Sequence, residues 1–260
     1  MISKYIKSLK VNLRNYLLQR LVPSNFYFEN DGYCPICEES VTFMARNHWL
    51  RDHYKCPSCH SLPRERALQE VLNKYYPNWR KLKIHESSPG NRGVSLKMKN
   101  ECENYMASQF FVDKPLGMIV NGFRNEDLEQ QTFEDHEFDI IITQDVMEHV
   151  YEPEKAFKEI ARTLKTGGAH IFTVPIINKH FETEQWAVKG ENNNPIFLKE
   201  AEYHGNPIDP QGSPVTYHWG YDIVDFIQQT SNLETSIEYI NNIELGIRAE
   251  YIEVLISKKL

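Results

Sequence analysis

Residues 138–175 read FDIIITQDVMEHVYEPEKAFKEIARTLKTGGAHIFTVP and contain the clearest pattern in the chain. Residues 138–142 form an apolar run rich in β-branched side chains, which is typical of a strand buried on both faces of a parallel sheet. Pro153 suits the first turn of a helix, and apolar residues then recur at helical spacing up to Leu164. Gly167 and Gly168 are expected to end that helix in the left-handed conformation, and residues 169–174 read as a second buried strand. The stretch therefore predicts a strand–helix–strand unit with a right-handed crossover.

The polar segment TQDVMEHV at 143–150 lies between that first strand and the helix. Ligands of open α/β sheets bind beyond the carboxyl ends of the strands, so Asp145, Glu148 and His149 are predicted to border a ligand site. Over these residues the sequence resembles the class I S-adenosylmethionine-dependent methyltransferases, in the branch with D-V-x-E-H-V after the fourth strand and L-K-x-G-G before the fifth. The resemblance implies an α/β, Rossmann-like sheet of seven strands, the last one antiparallel. It also implies S-adenosylmethionine as cofactor and S-adenosylhomocysteine as product.

The resemblance also assigns the other strands and the loop that holds the methionine part of the cofactor. Residues 81–86, 105–110 and 117–120 are expected to be strands one to three, and 235–240 and 250–257 the last two, preceded by a helix at 222–230. The loop SSPGNRG at 87–93 would wrap the methionine moiety, with Gly90 and Gly93 allowing close backbone approach. Ser88 and Pro89 stand where the family usually has glycine. Taken alone, P-G-x-x-G is a weak signal.

Two further positions bear on the ribose and the adenine of the cofactor. Gln109 stands where the family usually has an acidic residue that holds both ribose hydroxyls, and an amide can accept one hydrogen bond and donate another. Asp127 and Leu128 match the segment that recognises adenine, with an ordinary surface loop as the alternative. The implied cofactor-binding residues are Glu86, Ser87, Ser88, Pro89, Gly90, Gly93, Gln109, Asp127, Leu128, Gln144 and Asp145.

The candidate catalytic residues come from the 143–150 segment and from the long segment before Trp219. Residues 176–218 lack clear periodicity but are rich in aromatic side chains, which favours an ordered lid over the acceptor pocket. Histidine titrates near neutrality, so His149 first and His218 second are candidates for the base that takes the proton of the acceptor. Asp145 would orient the acceptor or the base, and Tyr217 would bound the pocket. The alternatives are a loop-capping role for His149 and a packing role for His218.

Four cysteines form two C-x2-C pairs, Cys34 with Cys37 and Cys56 with Cys59, eighteen residues apart. Each pair can supply two thiolates to one tetrahedral Zn²⁺ ion, and the spacing suits a zinc ribbon. Because sulfur fills all four positions, this site is expected to be closed and structural. Two redox pairs or plain structural thiols are the alternatives, and Cys102 is left as a separate thiol.

The predicted organisation has three parts: an amphipathic helix in residues 1–29, a zinc ribbon in 30–66, and a methyltransferase domain in 67–260. The C-x-x-C-x-S-x-x-R-x-R arrangement that ends at Arg66 resembles the zinc-ribbon prefix of some methyltransferases of surface-polysaccharide gene clusters. Arg64 and Arg66 would either contact an anionic acceptor or pair with carboxylates across the module interface. The basic helix over 1–22 would pack on the body or on a partner, or bind an anionic membrane reversibly.

Length, composition and charge fit one folded α/β domain with a small additional module. The chain has 260 residues, of which 41% are apolar, and it lacks a run of about 18 apolar residues that would predict a transmembrane helix. Residues 1–28 hold five of the 29 Lys and Arg and no acidic residue, which leaves 24 basic against 36 acidic side chains elsewhere. This acidic balance argues against nucleic acid as a partner. A cytoplasmic location is expected, with peripheral contact to the inner face of the membrane as an option.

The expected function is S-adenosylmethionine-dependent O-methylation of a small molecule or glycan precursor in surface-polysaccharide biosynthesis, at a sugar hydroxyl or a phosphate- or phosphoramidate-type group. One alternative is methylation of RNA or protein, with the ribbon presenting the macromolecule. Another is a non-catalytic binding module that has lost cofactor affinity. A nucleotide oxidoreductase is disfavoured because the G-x-G-x-x-G turn is absent. The sequence leaves the acceptor and the oligomeric state open.

Overall fold

The computed structural model describes residues 26–206 and 208–260. The amphipathic helix predicted over residues 1–22 lies outside these described residues. The strands are β1 Phe28–Cys34, β2 Glu39–Ala45, β3 Lys83–Ser87, β4 Asn104–Gln109, β5 Ile119–Val120, β6 Phe123–Asn125, β7 Phe138–Gln144, β8 Leu164–Thr173, β9 Glu184–Gln185, β10 Ala187–Lys189, β11 Pro195–Phe197, β12 Tyr203–His204, β13 Ser213–Pro214, β14 Tyr217–His218, β15 Glu234–Glu238 and β16 Val254–Lys258. The α-helices are α1 Leu50–His53, α2 Pro63–Tyr75, α3 Gly93–Glu101, α4 Pro153–Thr163 and α5 Ile223–Ser231. None of the described helices is long and apolar enough to cross a membrane.

Eight strands form one mixed sheet in the order β15-β16-β8-β7-β3-β4-β6-β5. Strands β8, β7, β3, β4 and β6 pair in parallel, whereas β16 runs antiparallel to both β8 and β15. The predicted strand–helix–strand unit is confirmed as β7, α4 and β8, and the predicted reversed last strand is confirmed as β16. The predicted count of seven strands is one short, because β5 adds a two-residue antiparallel edge to β6.

The third parallel strand is β6, and the prediction of this strand at residues 117–120 is wrong. Residues Ile119–Val120 pair only with β6 at the sheet edge, and the Ile119 side chain is 64% exposed. The parallel neighbour of β4 is β6, through Ser108 with Arg124 and Gln109 with Asn125. The apolar run at 117–120 was misleading because it lies at an open edge, where the sheet does not bury it.

The prediction that Gly167 and Gly168 end the central helix is also wrong. Helix α4 stops at Thr163, and Leu164 is already extended and forms the first residue of β8. Gly167 does adopt the left-handed region, with φ of 81°, but within β8, beside an irregularity in the pairing with β7. The two glycines therefore lie in the first half of β8 and do not end the helix.

The cysteine-bearing segment packs directly against the large sheet. The β1–β2 hairpin, the cysteine loops and α2 share one apolar cluster with residues of β3 and β8. Arg66 is fully buried in this cluster, donates hydrogen bonds to the carbonyls of Ser61, Tyr54 and Gly246, and lies 4.6 Å from the Phe43 ring centroid. The boundaries predicted at 29–30 and 66–67 fall inside β1 and α2, so the two parts share one core.

Candidate active site and four-cysteine cluster

The carboxyl ends of β3, β4 and β7 meet at one edge of the sheet, because these strands are parallel neighbours. Glu86, near the end of β3, is fully buried there. Its carboxylate accepts hydrogen bonds from Tyr105 (2.6 Å), Ser95 (2.7 Å) and Gln144 (2.7 Å). Burial raises the pKa of Glu86, and the three donors oppose that rise. Both carboxylate oxygens are thus engaged by protein groups, and Glu86 links β3 to β4, to α3 and to the end of β7.

The loop at 87–93 leaves open space above Gly90. Ser88 turns the chain with a φ of 56°, and its N–H donates to a β4 carbonyl at 2.8 Å. A Cβ added to Gly90 would meet only the Ser95 hydroxyl, at 3.8 Å. The protein's own packing therefore does not require glycine here, and the space fits the close approach of a cofactor. Gly93 differs, because a Cβ there would lie 2.2 Å from the carboxylate of Glu65.

The other residues implied for the cofactor lie at the same edge or just beyond it. Ser87 ends β3 and is buried, and Pro89 is half-buried. Gln109 ends β4 with 7% of its surface exposed. Asp127 accepts a hydrogen bond at 2.9 Å from the backbone N–H two residues ahead, which forms a local turn. Leu128 packs in an apolar cluster below the sheet, so its proposed contact with adenine stays a prediction.

Asp145 follows β7 directly and links the sheet to the cysteine-bearing segment. Its φ of 53° is uncommon for a residue other than glycine. Its carboxylate accepts hydrogen bonds from Arg51 at 2.8 and 2.9 Å and from Thr173 at 3.0 Å, and lies 2.7 Å from Nε of Arg64. Burial acts to raise the pKa of Asp145, but the two guanidinium groups hold it at about 2. Asp145 is therefore an ionised carboxylate clamped by two arginines.

Arg64 and Arg66 are both committed to protein partners. Arg64 also binds Asp52 at 2.9 Å, and its side chain is 14% exposed. The predicted pairing of Arg64 with carboxylates across the module interface is confirmed. Arg66 binds backbone carbonyls instead, and its complete burial prevents it from contacting an acceptor.

Glu148 and His149 of the 143–150 segment lie close to His204, which belongs to the predicted lid at residues 176–218. Nδ1 of His149 lies 2.8 Å from the carbonyl of Pro214, and its Nε2 lies 3.8 Å from Oε1 of Glu148. Nδ1 of His204 lies 3.7 Å from the same oxygen, and its Nε2 lies 3.4 Å from Glu202. Glu148 and Glu202 together raise the pKa of His204 to about 9.

His218 extends this group on the lid side. Its Nε2 lies 2.9 Å from Oε2 of Glu202, and its ring stacks on Trp186 with centroids 3.8 Å apart. Hydrogen bonds with His204 and His218 lower the pKa of Glu202 to about 2. We call the five residues the histidine cluster: Glu148, His149, Glu202, His204 and His218.

The structure thus brings His149 and His218 together but keeps the other two catalytic candidates apart from them. Tyr217 stacks on Trp219 with centroids 5.0 Å apart, and burial raises its pKa to about 12, so it is a neutral phenol at pH 7. Asp145 contacts arginines. The predicted lid, residues 176–218, contains the short strand pairs β10–β11, β12–β13 and β9–β14. A cleft of about 720 Å³ lies beside it, between Tyr151 and Lys189.

The four cysteines of the two C-x2-C pairs lie together. Their Sγ atoms are all within 4.8 Å of one another, with Cys34 to Cys59 at 3.6 Å and Cys37 to Cys56 at 3.7 Å. Four thiolates bound tetrahedrally at about 2.3 Å from Zn²⁺ would be separated by about 3.8 Å. The donor set and its spacing therefore fit one zinc ion.

Several groups of the site were not predicted from the sequence. Arg51 lies on a helix of four residues and pairs with Asp145 across 94 positions of the chain, so no local pattern marks it. Glu202 and His204 are two positions apart, which places them on one face of an extended segment. That alternation was the available signal for the lid half of the histidine cluster.

Comparison with known families identifies the central part of this fold. Residues 98–172 match the family model described as a methyltransferase domain. The chain is a methyltransferase. The matched stretch runs from α3 through β8, and it includes Gln109, Asp127, Asp145 and His149. S-adenosylmethionine is the cofactor that such a domain implies.

Solved structures to which this methyltransferase is similar include three from bacteria and archaea. An S-adenosylmethionine-dependent methyltransferase of Mesorhizobium loti is 14% identical, with 74% of this chain and 96% of that chain covered and a TM-score of 0.46. One of Methanosarcina mazei is 14% identical, with 71% and 96% covered and a TM-score of 0.40. A protein of Pyrococcus horikoshii is 16% identical, with 75% and 87% covered and a TM-score of 0.45. No curated protein matches the sequence.

Proposed function

We propose that this methyltransferase transfers the methyl group of S-adenosylmethionine to an oxygen atom of a small molecule or glycan precursor. The observation that carries the proposal is the pair of His218 and Glu202, joined at 2.9 Å beside the segment that follows β7. That segment follows β7 at the carboxyl end of the strand, which is where ligands of this fold class bind. The lid supplies His218 and Glu202, so the acceptor would lie between the lid and the sheet edge.

The chemistry needs alignment and one proton acceptor. Bound S-adenosylmethionine supplies a methyl group on a positively charged sulfur. The acceptor oxygen forms a bond to that carbon as the carbon–sulfur bond breaks, and the acceptor loses its proton. In neutral His218, Nε2–H donates to the ionised Glu202, which leaves the Nδ1 lone pair to take the proton. His149 is less suited to this task, because Nδ1 faces a carbonyl and Nε2 faces Glu148.

The acceptor is more consistent with a hydroxyl group than with a phosphate-type group. The ribbon arginines considered for an anionic acceptor are Arg64, which is paired with Asp52 and Asp145, and Arg66, which is buried in the core. The acidic balance of residues 29–260 also disfavours RNA as the acceptor. The link to surface-polysaccharide biosynthesis rests on the resemblance of residues 34–66 to the ribbons of such enzymes.

We also propose that the four-cysteine cluster holds a structural Zn²⁺ ion. All four ligand positions would be sulfur, so the ion would have no open position for catalysis. Its role would be to fix the two cysteine loops, which lie directly before and after the segment that carries Arg51. The ribbon would then hold Asp145 at the carboxyl end of β7 through Arg51 and Arg64.

The acceptor proposal is tested by assaying methyl transfer from S-adenosylmethionine to a panel of nucleotide-activated sugars. His218→Ala should lower kcat by roughly 10²-fold or more, with little change in the affinity for S-adenosylmethionine. The matched control is His180→Ala, since His180 is exposed and its ring lies 5.1 Å from the Tyr221 ring, outside the histidine cluster. Near-normal turnover of His218→Ala would remove His218 as the base. Transfer to RNA or protein alone would replace the proposed acceptor class.

A further inference from the structure

Glu148 has a buried carboxylate that no protein group satisfies. The residue is 2% exposed, and neither Oε1 nor Oε2 has a hydrogen-bond partner among the described residues. Its backbone carbonyl, in contrast, accepts hydrogen bonds from both the N–H and the hydroxyl of Thr216. An ionised carboxylate in such surroundings carries a large desolvation cost unless a cation or a donor compensates it.

Two imidazoles face this carboxylate through one nitrogen each. Nε2 of His149 lies 3.8 Å and Nδ1 of His204 lies 3.7 Å from Oε1 of Glu148, too far for good hydrogen bonds. The two rings are 5.1 Å apart and perpendicular. The three ligand atoms lie within 4.8 Å of one another. Two nitrogen atoms and one oxygen atom therefore surround a common point.

The other nitrogen of each ring is held by an oxygen acceptor. Nδ1 of His149 lies 2.8 Å from the carbonyl of Pro214, and Nε2 of His204 lies 3.4 Å from Oε1 of Glu202. Histidines that bind metals almost always donate their other N–H to a backbone carbonyl or a carboxylate, which fixes the tautomer and the ring orientation. Both histidines thus turn their remaining ring nitrogen toward Glu148, and in the neutral ring that nitrogen can bind a metal ion.

From these contacts we infer that Glu148, His149 and His204 form a second metal site, for a divalent transition metal such as Zn²⁺. Ligands at about 2.0–2.2 Å from a tetrahedral zinc ion lie about 3.3–3.5 Å apart, so the two distances to Oε1 of Glu148 need to close by only a few tenths of an ångström. Two imidazoles and one carboxylate favour Zn²⁺ over Mg²⁺ or Ca²⁺, which prefer oxygen ligands. Three protein ligands leave one position open, unlike the four-cysteine cluster.

The test counts zinc in the full-length protein. The protein is loaded with Zn²⁺, equilibrated against a chelator that holds free zinc at about 1 µM, and analysed by plasma mass spectrometry. We expect about two zinc ions per chain, one in each site. Glu148→Gln and His204→Ala should each hold about one ion, and the control His180→Ala should still hold two. Equal numbers of ions in the wild-type protein and in Glu148→Gln, whether one or two, would overturn the inference.

X-ray absorption at the zinc edge of the wild-type protein gives a result that does not depend on the folding of any variant. A first shell of sulfur together with nitrogen and oxygen at about 2.0–2.1 Å is expected, and a shell of sulfur alone would overturn the second site. A shell of nitrogen and oxygen alone would keep this site and remove zinc from the cysteines. The measurement uses neither methyl transfer nor an acceptor, so its outcome is separate from that of the proposed function.

Discussion

Replacing Asp145 by asparagine should destabilise the protein by about 3 kcal/mol at pH 7. The carboxylate accepts two hydrogen bonds from Arg51 and lies 2.7 Å from Arg64, and these side chains are only 17%, 8% and 14% exposed. Asparagine has the same shape and tolerates the left-handed backbone of this position. The change therefore removes a charge from the contact between the cysteine-bearing segment and the sheet without straining the chain.

The magnitude follows from two independent arguments. A pKa of about 2, compared with an ordinary value of 3.8, means that the ionised form of Asp145 is stabilised by about 2 kcal/mol on folding. Removing one partner of a buried ion pair costs about 3–5 kcal/mol, because the remaining charge is left uncompensated. We expect the lower end of that range, since Arg64 keeps Asp52 and Arg51 keeps the carbonyl of Tyr251.

The assay is urea unfolding at pH 7, with thermal unfolding as a second measure. A loss of about 3 kcal/mol corresponds to a fall in Tm of roughly 6–12 °C in a chain of this size. Asp145→Ala should cost roughly 1 kcal/mol more, because alanine is strained at positive φ. The control is Glu152→Gln, which removes an ion pair with Lys155 in which the side chains are 46% and 58% exposed, and should cost about 1 kcal/mol or less. If the unfolding free energy of Asp145→Asn lies within about 0.5 kcal/mol of the wild-type value, the ion pairs of Asp145 with Arg51 and Arg64 do not stabilise the fold as argued.

Three further predictions concern the sheet, the cysteines and the strand ends. Burial lowers the pKa of His85 and His170 to about 3. Between about pH 6.5 and pH 3 the unfolded chain therefore binds two protons that the folded protein does not, and the free energy of unfolding should fall by roughly 3 kcal/mol for each pH unit of acidification. An unchanged urea unfolding midpoint between pH 7 and pH 5.5 would contradict this. Cys56→Ser should lower the unfolding free energy by on the order of several kcal/mol and release zinc, whereas Cys102→Ser, outside the cluster, should cost about 1 kcal/mol; equal effects in calorimetry would argue against a metal centre. Glu86→Ala removes the carboxylate acceptor from Tyr105, Ser95 and Gln144, of which Gln144 keeps the Ser95 hydroxyl at 2.9 Å, and should cost roughly 2–4 kcal/mol in urea unfolding. A loss below about 1 kcal/mol would show that the network contributes little.

The central part of the fold could be predicted because local pattern and tertiary environment agree there. The apolar runs of β7 and β8 and the amphipathic stripe of α4 are produced by burial in the positions they occupy. The third strand could not be predicted in the same way. It has only three residues, Phe-Arg-Asn, and its position depends on Asn125, whose side chain bonds to the backbone of Phe111 and Lys114.

The candidate site was predictable where it lies on one continuous segment and unpredictable where distant segments meet. His149 could be proposed because it directly follows a recognisable strand. Its partner His204 lies 55 positions later, in a two-residue strand without periodicity of its own. The clamp on Asp145 joins residues 94 positions apart. Such pairs are determined by how the cysteine-bearing segment and residues 176–218 pack on the sheet edge, which single-sequence patterns do not encode.

The most direct test of the methyltransferase account is calorimetric titration of the zinc-replete protein with S-adenosylmethionine. Wild-type protein should bind, and Gly90→Leu should not, because its side chain would occupy the open space above the loop at 87–93 while leaving the unfolding temperature unchanged. Gly205→Leu is the control, since a side chain there meets no atom within 4 Å and lies in the 176–218 segment, away from the loop at 87–93 in sequence. Binding by wild type and Gly205→Leu, with no heat from Gly90→Leu, is the expected result. Absence of binding by the wild-type protein, or full affinity in Gly90→Leu, would contradict the account.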